Sequence, residues 1–193
     1  MQKTLKDKIK EYIETELTDK RKKHTYAVAK EAVKLARRFG ADTERAEIAA
    51  LFHDMFRGKP AEILDNYILK FNIDRTYLGN ANLSHSKIAA AVMKSDYGIE
   101  DRDIINAVAY HTTGRAGMSE LEKIIFLADA IEPGRKYPGV EYLRILSYEN
   151  LDKACLLSLN RTIEYIIGKG LDLDIDTLKA RDYLLEKERR EHE

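Results

Sequence analysis

The chain has a single cysteine, Cys155, so no disulfide can form within it, and a reducing cytoplasm is the expected compartment. Lys plus Arg and Asp plus Glu both total 33, a formal charge of +0. A general nucleic-acid binder needs a net basic footprint, and none is present. No apolar run approaches the length that spans a bilayer, and the opening MQKTLKDKIKEY is charged throughout, without a signal-peptide core. A cytoplasmic protein with neither membrane nor nucleic acid as partner is therefore expected. The sequence also lacks a P-loop, a Gly-rich dinucleotide motif and a Ser or Cys triad, and Cys155 itself lies in the apolar run Ala154 to Leu159. Only 3 Pro and 10 Gly interrupt 193 residues dominated by helix formers, so helix is favoured nearly everywhere.

Apolar residues recur at helical spacing along most of the chain, with no strand-like alternation. Leu5, Ile9, Tyr12, Ile13 and Leu17 form one stripe, and Val28, Ala32, Leu35, Ala36 and Phe39 a second on a helix from Asp19 to Phe39. Gly40 and Asp42 supply a stop and an N-cap for a third helix, Thr43 to Phe56. Pro60 opens a fourth that reaches Lys70, and Asn72 to Asn82 reads as a loop. Further helices are expected at Ser84 to Tyr97, Asp101 to His111, Leu121 to Ile131 behind a Ser119–Glu122 capping box, Tyr148 to Ile167, and from Asp176 onward. Pro133-Gly134 and Pro138-Gly139 bracket an irregular loop. No internal repeat or linker divides the chain. An all-α, single-domain helical bundle over 1–193 follows.

Of five histidines, His192 falls in the charged tail; the other four, His24, His53, His85 and His111, each lie on the apolar stripe of their own helix. Asp54 and Asp129 lie on inward faces too. One such histidine is ordinarily core packing. Two inward carboxylates with four inward imidazoles need positive partners, because an isolated buried carboxylate costs several kcal/mol. A divalent metal accepts both ligand types, and this mixed set suits iron, manganese or zinc rather than a thiolate-seeking ion.

His24, then His53-Asp54, then Asp129 resembles the H…HD…D signature of the HD-domain phosphohydrolases, an all-helical, metal-dependent superfamily acting on phosphate esters and anhydrides. His85 and His111 stand where its two-metal members carry two additional histidines. The segments His53-Asp54-Met55-Phe56-Arg57, Asn82-Leu83-Ser84-His85, Tyr110-His111-Thr112-Thr113-Gly114-Arg115 and Leu121 through Arg135 are similar to the YqeK family, over roughly Asp19 to Ile167. One departure is Met55 to Gly58, where that family leads one to expect a small residue and a lysine.

The resemblance implies symmetrical hydrolysis of diadenosine tetraphosphate to two ADP. It implies that His24, His53, Asp54 and Asp129 bind one metal and His85 and His111 a second, with Asp54 bridging. The implied metal is iron at both positions, with manganese or other divalent ions also accepted. Asp54, His85 and His111 would thus serve catalysis, with a water or hydroxide between the metals as nucleophile. A tetraphosphate brings more negative charge than two metals neutralise, so cations just past the ligand-bearing helices are candidate phosphate contacts: Arg57, Lys59, Arg115 and Arg135, with Thr112 and Thr113 as donors. The run Lys20-Arg21-Lys22-Lys23 reads as a solvated helix start. Tyr110, Phe126, Tyr137 or Tyr142 would be available to stack a base. Other substrates of the same metal site are a nucleotide 5′-phosphate, a dNTP or a cyclic dinucleotide; a nucleotide-binding module without turnover is the non-enzymatic alternative. A homodimer is open to such a domain, with no surface stripe that requires it.

Overall fold

The computed structural model describes residues 3–191; His192 lies outside them. The described residues form ten α-helices, one short 3₁₀ turn at Arg75–Tyr77 and no strand. The helices are α1 (Leu5–Glu16), α2 (Asp19–Phe39), α3 (Thr43–Phe52), α4 (Ala61–Lys70), α5 (Ala81–Tyr97), α6 (Arg102–Ala109), α7 (Glu120–Ile131), α8 (Val140–Glu149), α9 (Leu151–Gly168) and α10 (Ile175–Glu191). Among the described residues no helix is long and apolar enough to cross a membrane.

Side-chain caps set the helix starts. Thr18 accepts from the Arg21 amide at the head of α2, and Asp42 from Glu44 and Arg45 at the head of α3. Gly40, at φ 77°, ends α2 in the left-handed conformation that an unbranched backbone takes most cheaply. Asp101 caps α6 and also takes a bidentate pair from Arg45 at 2.7 and 2.9 Å, tying α3 to α6.

α2 lies against α3 and α7, α6 against α3, α5 and α7, and α9 against α7, α8 and α10. Leu35, Phe52, Ile88, Met93, Ile124 and Ile125 are fully buried where these helices meet. Cutting one such Leu or Ile to Ala costs about 2–5 kcal/mol. This core fixes the ends of α3, α6 and α7 close to the first turns of α2 and α5, and that convergence creates the site.

Three expectations need correction. Regular α3 stops at Phe52 rather than Phe56; from there Met55 donates to Phe52 and Arg57 to Asp54, tight three-residue turns that close at Gly58 with φ 87°. The loop bracketed by Pro133-Gly134 and Pro138-Gly139 is irregular, but the residues after it form an unexpected helix, α8, with Val140, Leu143 and Ser147 inward. Asn150 separates it from α9 by going extended (φ −153°, ψ 110°) and capping the Lys153 amide. The capping box at α7 is only half formed: Ser119 accepts from the Glu122 amide, but the Glu122 carboxylate takes Arg115 at 2.5 Å instead of reaching back.

Candidate metal centre and its cationic cavity

The tight turns after α3 aim His53 and its neighbour Asp54 at the same space. His24 reaches that space from the second turn of α2, His85 from α5, His111 from just past α6 and Asp129 from the last turn of α7. His24 Nε2 lies 3.0 Å from Asp129 Oδ1, 3.3 Å from His53 Nε2 and 3.6 Å from Asp54 Oδ2. His53 Nε2 is 3.7 Å from Asp54 Oδ2 and 3.9 Å from Asp129 Oδ1. His85 Nε2 is 3.2 Å from both His111 Nε2 and Asp54 Oδ1, and His111 Nε2 is 3.8 Å from the same oxygen. Asp54 thus turns one oxygen to His24 and His53 and the other to His85 and His111. Two overlapping triads, His24–His53–Asp129 and His53–Asp54–His111, each bring their ligand atoms within 4.8 Å of one another.

The backs of the rings decide which nitrogens are free. His53 Nδ1 faces the Ala50 carbonyl at 2.5 Å and His111 Nδ1 the Val108 carbonyl at 2.8 Å. A carbonyl only accepts, so both rings carry their proton on Nδ1 and turn an Nε2 lone pair inward. His24 Nδ1 faces the Glu132 carboxylate at 3.2 Å, with the same consequence. Lone pairs facing one another at 3.3 Å, beside two carboxylates, repel unless a cation lies among them. The donor set therefore fits metal ions. His85 differs, since its Nδ1 faces the Arg57 guanidinium, a donor, at 3.3 Å, a contact that must give way for Nε2 to lose its proton to a metal.

Electrostatics agree. Burial pushes the His53 and His111 imidazoles down, the latter to about 3, so both are neutral, ligand-competent bases at pH 7. Burial works against ionised Asp54, yet the His53, His85 and His111 imidazoles gathered around it hold it well below the usual carboxylate range. Asp129 is also lowered, against its burial, by the adjacent His24 and His53 rings and the Arg135 guanidinium.

On the His24 side the cluster opens into a cavity of about 860 Å³, within the size range of small-molecule sites. Its walls carry Lys20, Arg21, Lys23, Arg135 and Lys136, with Tyr137. A second hollow of about 420 Å³ shares Lys23 and Ala27 with it and adds Lys30 and Lys34. In a chain of zero net charge this is a local concentration of cations.

A family model for the HD domain matches residues 21–134. The chain belongs to the HD domain family. Relatives of this HD domain protein include the symmetrical bis(5′-nucleosyl)-tetraphosphatases of Bacillus subtilis, 37% identical over 90% of the chain and 94% of that protein, and of Halalkalibacterium halodurans, 39% identical over 90% and 93%. The protein of the same name from Staphylococcus aureus is 37% identical over 92% and 93%. A crystal structure described as a predicted HD superfamily hydrolase involved in NAD metabolism, from Clostridium acetobutylicum, superposes with a TM-score of 0.89 at 41% identity, covering 94% of this chain and 97% of that one.

The phosphate contacts expected from the sequence part company. Arg135 lines the cavity and binds Asp129. Arg57 sits behind His85 and donates to the Asn82 carbonyl at 3.0 Å, and Thr112 Oγ1 is 3.3 Å from His111 Nε2. Lys59 instead pairs with Glu16 at 3.0 Å, Arg115 with buried Glu122, and Thr113 donates to the Gly114 carbonyl. Of the four aromatics only Tyr137 lines the cavity; Phe126 is core, Tyr110 lies beneath the Lys87 amine and Tyr142 is exposed elsewhere. Arg21, expected in a solvated helix start, instead donates from Nη1 to Asp54 Oδ2 at 2.6 Å. Its position three residues before His24 on one helix face carried the signal. Lys22, by contrast, stays outside on Glu14 at 3.4 Å.

Proposed function

We propose that this protein hydrolyses diadenosine tetraphosphate symmetrically to two ADP, using two metal ions held by His24, His53, Asp54, His85, His111 and Asp129. His24, His53 and Asp129 would hold one, His85 and His111 the other, and Asp54, with an oxygen toward each set, would bridge. Iron fits this imidazole–carboxylate set, as manganese does. When bound, such a pair supplies an ionised water at neutral pH and an electrophilic clamp on a phosphoryl oxygen. The whole chain would act as one unit, with an HD core over about 19–167 and the first and last helices flanking it.

The chain's own residues supply the rest. Neutral His53 and His111 present lone pairs because backbone carbonyls hold their Nδ1 protons. Arg21 and Arg135 stand beside the two carboxylates at the cavity mouth, where planar guanidinium groups suit the oxygens of a phosphate chain. Lys20, Lys23 and Lys136 offset charge farther along that chain. Arg57 and Thr112 stand at the His85 and His111 end, within reach of a reacting phosphoryl group. Tyr137 is the aromatic surface available to a base, held by its hydroxyl on the Ala130 carbonyl at 2.8 Å.

One observation carries this reading: two overlapping imidazole–carboxylate triads adjoin, through His24, a cation-lined cavity large enough for a nucleotide. The test is to quantify metals in protein purified without added ions, then follow products from the dinucleotide. ADP as the dominant product is expected. AMP with ATP, or faster turnover of nucleotide monophosphates, dNTPs or cyclic dinucleotides, would overturn the substrate assignment. Protein without metal and without metal-dependent turnover would overturn the whole.

A further inference from the structure

Glu132 is a buried carboxylate, the one acidic side chain among the described residues in the wall of a cavity that also carries Lys20, Arg21, Lys23, Arg135 and Lys136. There it opposes binding of any phosphate chain, and burying it costs free energy unless it is paired. Its partners explain its place. Oε1 lies 3.2 Å from His24 Nδ1, and Oε2 accepts from the Gly134 amide at 2.5 Å. Arg135 Nε stands 3.9 Å away. One turn earlier on the same helix end, Asp129 Oδ1 is 3.0 Å from the other nitrogen of that ring. The end of α7 therefore clasps the His24 imidazole at both nitrogens. His53 and His111 rest on backbone carbonyls, so of these three rings His24 alone takes its proton acceptor from a side chain, and a charged one.

The geometry points to Glu132 as the positioning residue of the metal centre: it holds the His24 proton on Nδ1, keeps the Nε2 lone pair toward the metals and raises the basicity of that ligand. This rests on the metal-site reading proposed above. Gly134 belongs to the same device. A Cβ there would lie 2.9 and 3.0 Å from the two Glu132 carboxylate oxygens, so any side chain at 134 pushes the carboxylate off its seat.

Two variants test it without opening the fold. Glu132→Gln keeps shape but offers one acceptor where two donors, His24 Nδ1 and the Gly134 amide, need one each. Gly134→Ala leaves Glu132 in the chain and displaces its carboxylate. Titration of apo protein with Mn²⁺ should show affinity reduced about ten- to a hundredfold in both variants. Melting temperatures without metal should stay near wild type, KM should not rise, and excess Mn²⁺ should restore kcat. Mn²⁺ affinity within about twofold of wild type in both variants would overturn the positioning role, as would lost affinity matched by an equal loss of metal-free stability. If wild-type protein itself binds no Mn²⁺, the metal-site reading falls first and takes this one with it; the wild-type titration separates the two failures.

Discussion

The two ends of the imidazole cluster meet solvent differently. At the far end His85 and His111 are buried at 1% and 3% exposure, with Arg57 packed behind one ring and the Val108 carbonyl behind the other. At the near end the Asp129 side chain is 23% exposed and His24 11%, and His24 lines the cationic cavity. Asp54 joins them. A charge at the far end acts in a low-dielectric setting and needs full pairing, whereas charges at the near end are screened by water and are free to trade protein partners for substrate. On the function proposed above, one metal would be sealed at the closed end and the other would stand beside the cavity that admits substrate.

The most damaging change to that division removes its shared member. Asp54→Ala should empty at least one metal position and take turnover to background. Metal at a hundredfold excess over Kd stabilises a protein by about 2.7 kcal/mol, which for this size is roughly 5–10 °C in Tm. That metal-induced rise should shrink or vanish in the variant, so elemental analysis and melting curves check it together. Retained activity would contradict a bridging carboxylate.

Arg115 and Arg21 are the next contrast. Both are arginines close in sequence to a ligand histidine, and the sequence ranks Arg115 first because it sits in a glycine turn after His111. The structure puts Arg115 on Glu122, whose side chain is 1% exposed, and Arg21 on Asp54. Arg115→Ala should therefore leave a buried carboxylate short of its partner and cost about 1–3 kcal/mol of stability, read in urea unfolding, with KM near wild type. A raised KM at unchanged stability would return Arg115 to the phosphate grip. Arg21→Gln should do the reverse, raising KM about tenfold, some 1.4 kcal/mol, with little change in Tm of the metal-loaded protein, where the metals would partner Asp54.

That contrast also marks how far the sequence is legible. The six clustered residues stand out because burial must be reconciled with charge; helical spacing suggests an inward face for each, although His53, Asp54 and His111 lie just past the ends of α3 and α6. α2 and α7 are readable for the same reason: long apolar stripes with Thr18, Gly40 and Ser119 at their ends. α8 is not, since its inward face includes Ser147 while Tyr142 and Ile145 point outward, and Asn150 breaks it from α9 without a proline or glycine. Glu132 was visible only inside a motif; that it serves His24 depends on the loop folding back through Gly134, a tertiary fact with no periodic signature. Flexible cations are hardest of all. Whether Lys59 reaches Glu16 or a phosphate is decided by four rotatable bonds and by which carboxylate another helix delivers.

The gentlest probe of the open and closed ends is salt. The Debye length falls from about 30 Å at 0.01 M to about 8 Å at 0.15 M, so attraction between a polyphosphate and Lys20, Lys23 and Lys136 weakens across a range that buried charges barely sense. KM should rise severalfold over that interval while kcat stays nearly flat, because the Asp54, His85 and His111 contacts are shielded from mobile ions. Charge-reversed Lys23→Glu should flatten the KM dependence and leave kcat alone. A kcat that falls with salt while KM holds would place the ion-sensitive step at the buried end and invert the division of labour.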